Sequence, residues 1–407
     1  MSRKVALLVS LAFVLLAVCW VEANAAGEDQ GVSATEIKIG NAEPYSGPAS
    51  AYGAVGTGAS AYFKKLNDQG GINGRKINFI SYDSAYSPPR MMDVTRRLVE
   101  QDHVLAMVCS IGTPTNTAIW KYMNAMKVPQ LFVMTGATKW GDPKGHPWTM
   151  GWFPTYQAEG RVYAQYVLEN IPDAKIGILY QNDDYGKDYL VGFKDGLGEA
   201  GQKKIVSIQS YETSDPTIDS QIINLKNSGA NVFVDITTPK FASQAIKKAY
   251  EIGWHPVHFL NSVSNSVDVV LKPAGIEASK GLITVEWAID PSDPKYQNDP
   301  GFQEYVADLR KYEPKANPAD QFNVWGYACA QTVAQVLRQC DDNLTRENVM
   351  RQAANLHNLH LPLLLPGVVI NTSPTDFYPM KQLQLARFDG TRWVLFGKVY
   401  DTSKMHR

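Results

Sequence analysis

Short apolar runs alternate along this chain with amphipathic stretches about a dozen residues long. Glu36-Ile37-Lys38-Ile39-Gly40 alternates polar and apolar side chains, which predicts a strand, and a helix follows over 56–69, stopped by Gly70-Gly71. A strand over 76–82 leads into a charged helix that carries Met91, Val94, Leu98 and Val99 on one side. Two more apolar runs, 104–109 and 130–134, bracket a helix that opens near Pro114. After the connector 151–156 the rhythm restarts: a strand over 175–180, a helix over 188–199, a strand over 204–209, a helix with Ile218, Ile222 and Leu225 on one face, and a strand over 231–236. Alternation of this βαβα kind predicts an α/β fold, with helices wrapped around parallel sheets. Beyond 281–286 the pattern breaks into a Pro- and Asp-rich loop over 290–300, then two helices. The tail reads as a hairpin, 382–388 and 392–396, turning at Asp389-Gly390.

The first residues follow a different pattern. Arg3 and Lys4, an apolar stretch over 5–18 and the small-residue site Ala23-Asn24-Ala25 predict a secretory signal peptide over 1–25. The apolar stretch is shorter than the ~20 residues that span a bilayer, and Val18 before Cys19 disfavours a lipoprotein site, which needs a small residue there. The mature chain is therefore expected to be soluble. Losing Arg3, Lys4 and Glu22 takes the formal charge from −1 to about −2, and near-neutrality without a basic tract argues against nucleic acid as a partner. The remaining length suits two globular lobes. Cys329 and Cys340 stand about 16 Å apart if they share one helix, beyond disulfide reach. Cys109, Cys329 and Cys340 are expected as free, buried thiols.

Several chemistries find no support. Gly56-x-Gly58-x-x-Ala61 with Asp83 imitates a dinucleotide fingerprint, but the insert over 43–55 separates strand from helix where that fingerprint needs a tight turn. Gly-x-Ser-x-Gly, His-Glu-x-x-His and Gly-Lys-Ser/Thr are absent from the sequence. The pairs His255/His258 and His357/His360 sit among loop residues, which suits surface or core placement better than a metal site. No catalysis, cofactor or metal is expected.

The segment Glu43-Pro44-Tyr45-Ser46-Gly47-Pro48, continuing through Tyr52-Gly53 to Asn67-Asp68-Gln69-Gly70-Gly71-Ile72-Asn73-Gly74-Arg75 and then Tyr82-Asp83-Ser84, resembles the opening of the leucine/isoleucine/valine-binding protein family. Its members are the exported solute receptors of ABC importers. The resemblance runs from about residue 36 to the C-terminus and implies two doubly wound Rossmann-like lobes joined by three hinge crossovers. These would lie near 153, 287 and 375, so that 36–153 with 287–375 form lobe 1, and 154–286 with 376–403 form lobe 2. It also implies a periplasmic location, with a small-molecule solute and membrane permease subunits as partners. A soluble ligand sensor acting on a regulatory partner is the alternative use of the same fold.

The turn over 109–116 ends a buried strand and opens a helix. Thr113 is expected as its N-cap and Pro114 at the first helical position, which leaves free N–H groups at a positive helix end suited to an anion. Read from the residues alone, Ser110 and Thr113 serve equally well as plain helix caps. The resemblance implies that Ser110, Gly112 and Thr113 hold a ligand carboxylate, that Gly136 and Thr138 add a carbonyl and a hydroxyl, and that Tyr52 packs over the ligand. From the second half it implies that Tyr185 closes onto the solute, with Thr238 and Asn261 nearby. One feature departs from the amino-acid-binding pattern. Amino-acid-binding members typically place an acid in the loop that here spans 260–267, and this chain has none there. A buried ammonium without a partner costs several kcal/mol, so the expected solute is an aliphatic or aromatic acid without an amine. Asp235, and less directly Asp183 and Asp184, would restore an amine site and admit a branched-chain amino acid.

Overall fold

The computed structural model describes residues 31–404, so the signal-peptide expectation over 1–25 lies outside the described residues. Within them, no helix is long and apolar enough to cross a membrane. Two sheets organise the chain. The first contains β1 (Glu36–Glu43), β2 (Lys76–Asp83), β3 (Ala106–Val108), β4 (Gln130–Val133) and β5 (Thr149–Gly151) in the order β2-β1-β3-β4-β5, all parallel. Its crossovers are α1 (Ala54–Asp68), α2 (Pro88–Arg96) and α3 (Thr113–Ala125). Alternation in β1 puts Ile37 and Ile39 wholly in the core.

The second sheet begins after α4 (Tyr156–Asn170). It contains β6 (Ile176–Gln181), β7 (Ile205–Tyr211), β8 (Val232–Ile236), β9 (Val257–Leu260) and β10 (Ile283–Glu286), with helices α5 (Asp184–Gln202), α6 (Asp219–Asn227) and α7 (Pro239–Glu251) between the first four. Every residue of β8 is buried, as befits a strand covered on both faces. The chain then leaves this sheet for α8 (Pro300–Tyr312), α9 (Gln321–Gln339) and α10 (Arg346–Ala353), three helices where the sequence suggested two. It returns as the antiparallel hairpin β11 (Gln382–Phe388) and β12 (Trp393–Asp401), which completes the order β12-β11-β10-β9-β8-β6-β7. Strand order reverses between β1 and β3 in one sheet and between β6 and β8 in the other. Ligand crevices of doubly wound sheets open at the carboxyl ends of such strands.

The long helix α9 packs along α1 and against β4. Their backbones approach so closely that a Cβ on Gly58 would stand 2.1 Å from the Asn323 carbonyl oxygen, and one on Gly326 would stand 1.9 Å from that of Val55. Gly58, half of the chance dinucleotide match, is thus a helix-packing residue.

Three local expectations are corrected. Cys109 and Cys329 form a disulfide, leaving Cys340 as the buried free thiol among the described residues. The carboxyl end of β3 lies across the middle of α9, so residues 220 positions apart come within 6.1 Å at Cα, a proximity that spacing along the chain cannot reveal. The N-cap of α3 is Gly112, at φ 108°, and not Thr113, so Pro114 occupies the second helical position. Helix α5 starts at Asp184 and not at 188, because the Asp183 carboxylate accepts the N–H groups of Tyr185 and Gly186 and caps it.

Candidate functional site

A narrow cavity of about 10 Å³, room for about one water, lies where the carboxyl ends of the two sheets meet. From the first sheet come Tyr52, in a turn of helix after β1, Tyr86 after β2, Ile111, Gly112 and Thr113 after β3, and Met134 after β4. Phe153 and Tyr156 come from the first crossover; Tyr185, Thr238 and Val263 follow β6, β8 and β9. The lining holds no acidic or basic side chain. Burial pushes the tyrosine hydroxyls up, that of Tyr156 to about 12 and those of Tyr52, Tyr86 and Tyr185 well above their ordinary range, so all four are neutral at physiological pH.

The first intrahelical bond of α3 runs from Asn116 N–H to Gly112 C=O. Thr113 and Thr115 therefore have N–H groups with no acceptor inside the helix, at its positive end. Thr113 Oγ1 lies 2.6 Å from Thr135 Oγ1 and forms part of the cavity wall. Opposite it, Tyr185 packs edge-on to Tyr156 at 5.3 Å and donates its hydroxyl to the Thr237 carbonyl at 3.2 Å.

The two halves are closed upon each other. Tyr52, after a strand of the first sheet, donates its hydroxyl at 2.9 Å to the carbonyl of Val263, after a strand of the second. At the rim, Lys139 pairs with Asp184 at 2.7 Å, and the N–H and hydroxyl of Thr138 both donate to Asp188.

Of the residues the sequence nominated, Tyr52, Gly112, Thr113, Tyr185 and Thr238 stand on the cavity wall, whereas Ser110, Gly136, Thr138 and Asn261 do not. Each displacement has a physical reason. Ser110 Oγ accepts the Ala42 N–H and stitches the turn to β1. The ring of Tyr156 covers Gly136, whose carbonyl accepts the Tyr156 N–H at 2.8 Å. Thr138 is spent on Asp188 at the rim, and Asn261 donates to the carbonyls of Asp235 and Thr237. The acids that threatened the no-amine expectation are committed elsewhere. Asp235 accepts from Thr237 and faces His258, Asp183 caps α5, and Asp184 pairs with Lys139. The neighbouring buried acid Glu159 accepts from Ser262 N–H, Ser262 Oγ and Tyr163.

Sequence reasoning missed Tyr86, Phe153, Tyr156, Ile111, Met134 and Val263. Tyr86 sits in a left-handed turn (φ 57°) within a Ser- and Pro-rich stretch that reads as an ordinary loop. Phe153 and Tyr156 lie in the connector 151–156, whose Pro154 signals a crossover and gives no hint of a pocket.

Residues 36–392 match a family profile described as periplasmic binding protein. The chain belongs to the leucine/isoleucine/valine type of periplasmic binding proteins. Among its relatives, the Leu/Ile/Val-binding protein homolog 1 of Brucella suis biovar 1 is 24% identical over 338 residues, covering 78% of this chain and 82% of the relative. Among solved structures, a branched chain amino acid ABC transporter protein from Thermus thermophilus with bound valine superposes at a TM-score of 0.80 and 15% identity, covering 91% of this chain and 97% of that one. A fatty acid ABC transporter substrate-binding protein from Thermomonospora curvata gives 0.77 at 21% identity, covering 92% and 94%. At these identities the solved structures speak for the fold of this periplasmic binding protein, a type I two-lobed architecture.

Proposed function

We propose that this periplasmic binding protein captures a small carboxylate without an amine and delivers it to membrane permease subunits of an ABC importer, without chemistry on the solute. The single observation behind the choice of solute is the uncharged cavity wall set against the N-terminus of α3. Backbone N–H groups at a helix end are suited to an anion, while an ammonium buried there has no carboxylate to meet. The cavity is closed down to about the size of one water, so the solute has to enter before the halves close. The proposed class is a deaminated branched-chain amino acid, such as 4-methylpentanoate, or a small aromatic acid.

In this reading lobe 1 comprises 36–153 and 287–375, and lobe 2 comprises 154–286 and 376–403. The open form takes the carboxylate on the α3 turn of lobe 1. Closure then adds Tyr185 and Val263 from lobe 2, and the solute favours closing only through contacts made in that state. The competing solute is a branched-chain amino acid, favoured by the valine in the Thermus thermophilus structure. The test is the affinity of parent and Thr113→Ala for 4-methylpentanoate and for its amide. Loss of a hydroxyl that bonds a charged group, worth about 1.5–3 kcal/mol, weakens the acid about tenfold or more while the amide changes little. Equal losses for acid and amide would overturn the anion site.

A further inference from the structure

Asp235, the acid that might have served an amine, turns away from the solute cavity. It is wholly buried, and its Oδ2 lies 3.2 Å from Nε2 of His258, a nearly buried ring that forms the floor of a second concavity of about 340 Å³. This groove opens beside Val257 and Ile283, at the amino ends of β9 and β10, whereas the solute cavity lies at the carboxyl ends. One sheet therefore carries two concavities at opposite ends.

The walls of the groove carry Trp254 and Tyr250, and its rim carries His255, Lys280 and Arg387. No acidic side chain lines it. Among the described residues, Lys280 and Arg387 form no ion pair with a carboxylate; Arg387 donates to the Tyr166 hydroxyl at 3.0 Å and lies over the Phe396 ring at 5.3 Å. Two other lysines of the same half are paired, Lys248 with Asp219 at 2.8 Å and Lys272 with Asp268 at 2.5 Å. Unpaired cations around an aromatic-walled hollow create a positive potential with an apolar surface beside it.

We propose that this groove is a second binding site, for a small organic anion with an aromatic body. The ring rests against Trp254 and Tyr250, and the anionic group meets Lys280, Arg387 and His255, with Asp235 holding His258 in place beneath. The site stands independently of the solute assigned to the main cavity.

The probe is 8-anilinonaphthalene-1-sulfonate, whose ~21 non-hydrogen atoms are far more than the main cavity, at about 10 Å³, accommodates. Titration of the full mature protein is expected to show one saturable site, with energy transfer from tryptophan that drops in Trp254→Phe. Lys280→Glu and Arg387→Glu, both exposed positions, each weaken probe binding about tenfold. Lys203→Glu, exposed at the end of α5, leaves it unchanged, and none of these variants alters binding of 4-methylpentanoate. Probe affinity within twofold of the parent in both charge reversals overturns the proposal, as does loss of probe binding in Tyr185→Ala.

Discussion

Replacing Tyr52 with Phe removes one hydroxyl and leaves the ring, which packs on Phe322 at 4.9 Å, in place. That hydroxyl donates to the Val263 carbonyl at 2.9 Å and joins the two halves across the solute cavity. Without it the carbonyl stays buried and unpaired in the closed form, at a cost of about 1–3 kcal/mol. In the open form water satisfies both groups, so the whole loss falls on closure. At 1.4 kcal/mol per tenfold, affinity for the captured acid drops roughly 5- to 100-fold. A bond made only after docking slows release and leaves encounter alone, so the change belongs in the dissociation rate. Stopped-flow tryptophan fluorescence reads this directly, because Trp287 and Trp325 pack on Phe153, a residue of the cavity wall, at 5.0 and 5.1 Å. The reasoning fails if Tyr52→Phe binds 4-methylpentanoate within twofold of the parent, or if the loss appears in the association rate. It fails equally if the unliganded variant melts lower by a matching free energy, since the bond would then exist before any solute arrives.

Two further outcomes concern stability. Breaking the Cys109–Cys329 bridge in a Cys109→Ala/Cys329→Ala double variant is expected to cost about 2–5 kcal/mol. Reductant should then lower the melting temperature of the parent and leave the variant unmoved; equal responses count against a bridge that supports the α3 turn. Burial also holds the carboxyls of Glu286 and Asp290 above their ordinary range, and that of Asp320 at about 7. The folded protein thus binds these protons more tightly than the unfolded chain does. Their contribution to stability is greatest in acid and falls as pH rises from the ordinary carboxylate range through the raised values. Melting temperature should decline between about pH 5 and pH 8, and less steeply in Asp320→Asn, where the amide can still cap α9. An identical slope in that variant would remove Asp320 from the explanation.

The alternation of apolar runs and amphipathic stretches made both sheets legible, since buried parallel strands and one-sided helices leave different periods in the sequence. Boundaries slipped where a side chain decides them. Asp183 starts α5 four residues before the expected position by accepting two N–H groups, a role its place in an apparent loop concealed. The family resemblance, and not the residue pattern alone, nominated the wall residues Gly112, Thr113 and Tyr185, which stand where a helix or turn opens from a strand end. Tyr86 and Tyr156 reach the cavity through a left-handed turn and a crossover, and Gly136 is hidden by a ring from that crossover. Such placements depend on how the two halves meet, and neither period nor spacing records it. The Cys109–Cys329 bridge has the same origin, a contact between the first sheet and a helix that the chain reaches only after building most of the second.

Solute choice, as proposed, rests on the cavity holding a carboxylate and rejecting an ammonium. Thermal denaturation of the mature protein with leucine, isoleucine and valine, each beside its deaminated acid, tests this most directly. A ligand present at a hundred times its dissociation constant adds about 2.7 kcal/mol to stability. The expected result is a clear rise in melting temperature with 4-methylpentanoate or an aromatic acid and none with the amino acids. A rise with leucine, isoleucine or valine, and none with their deaminated partners, would contradict it.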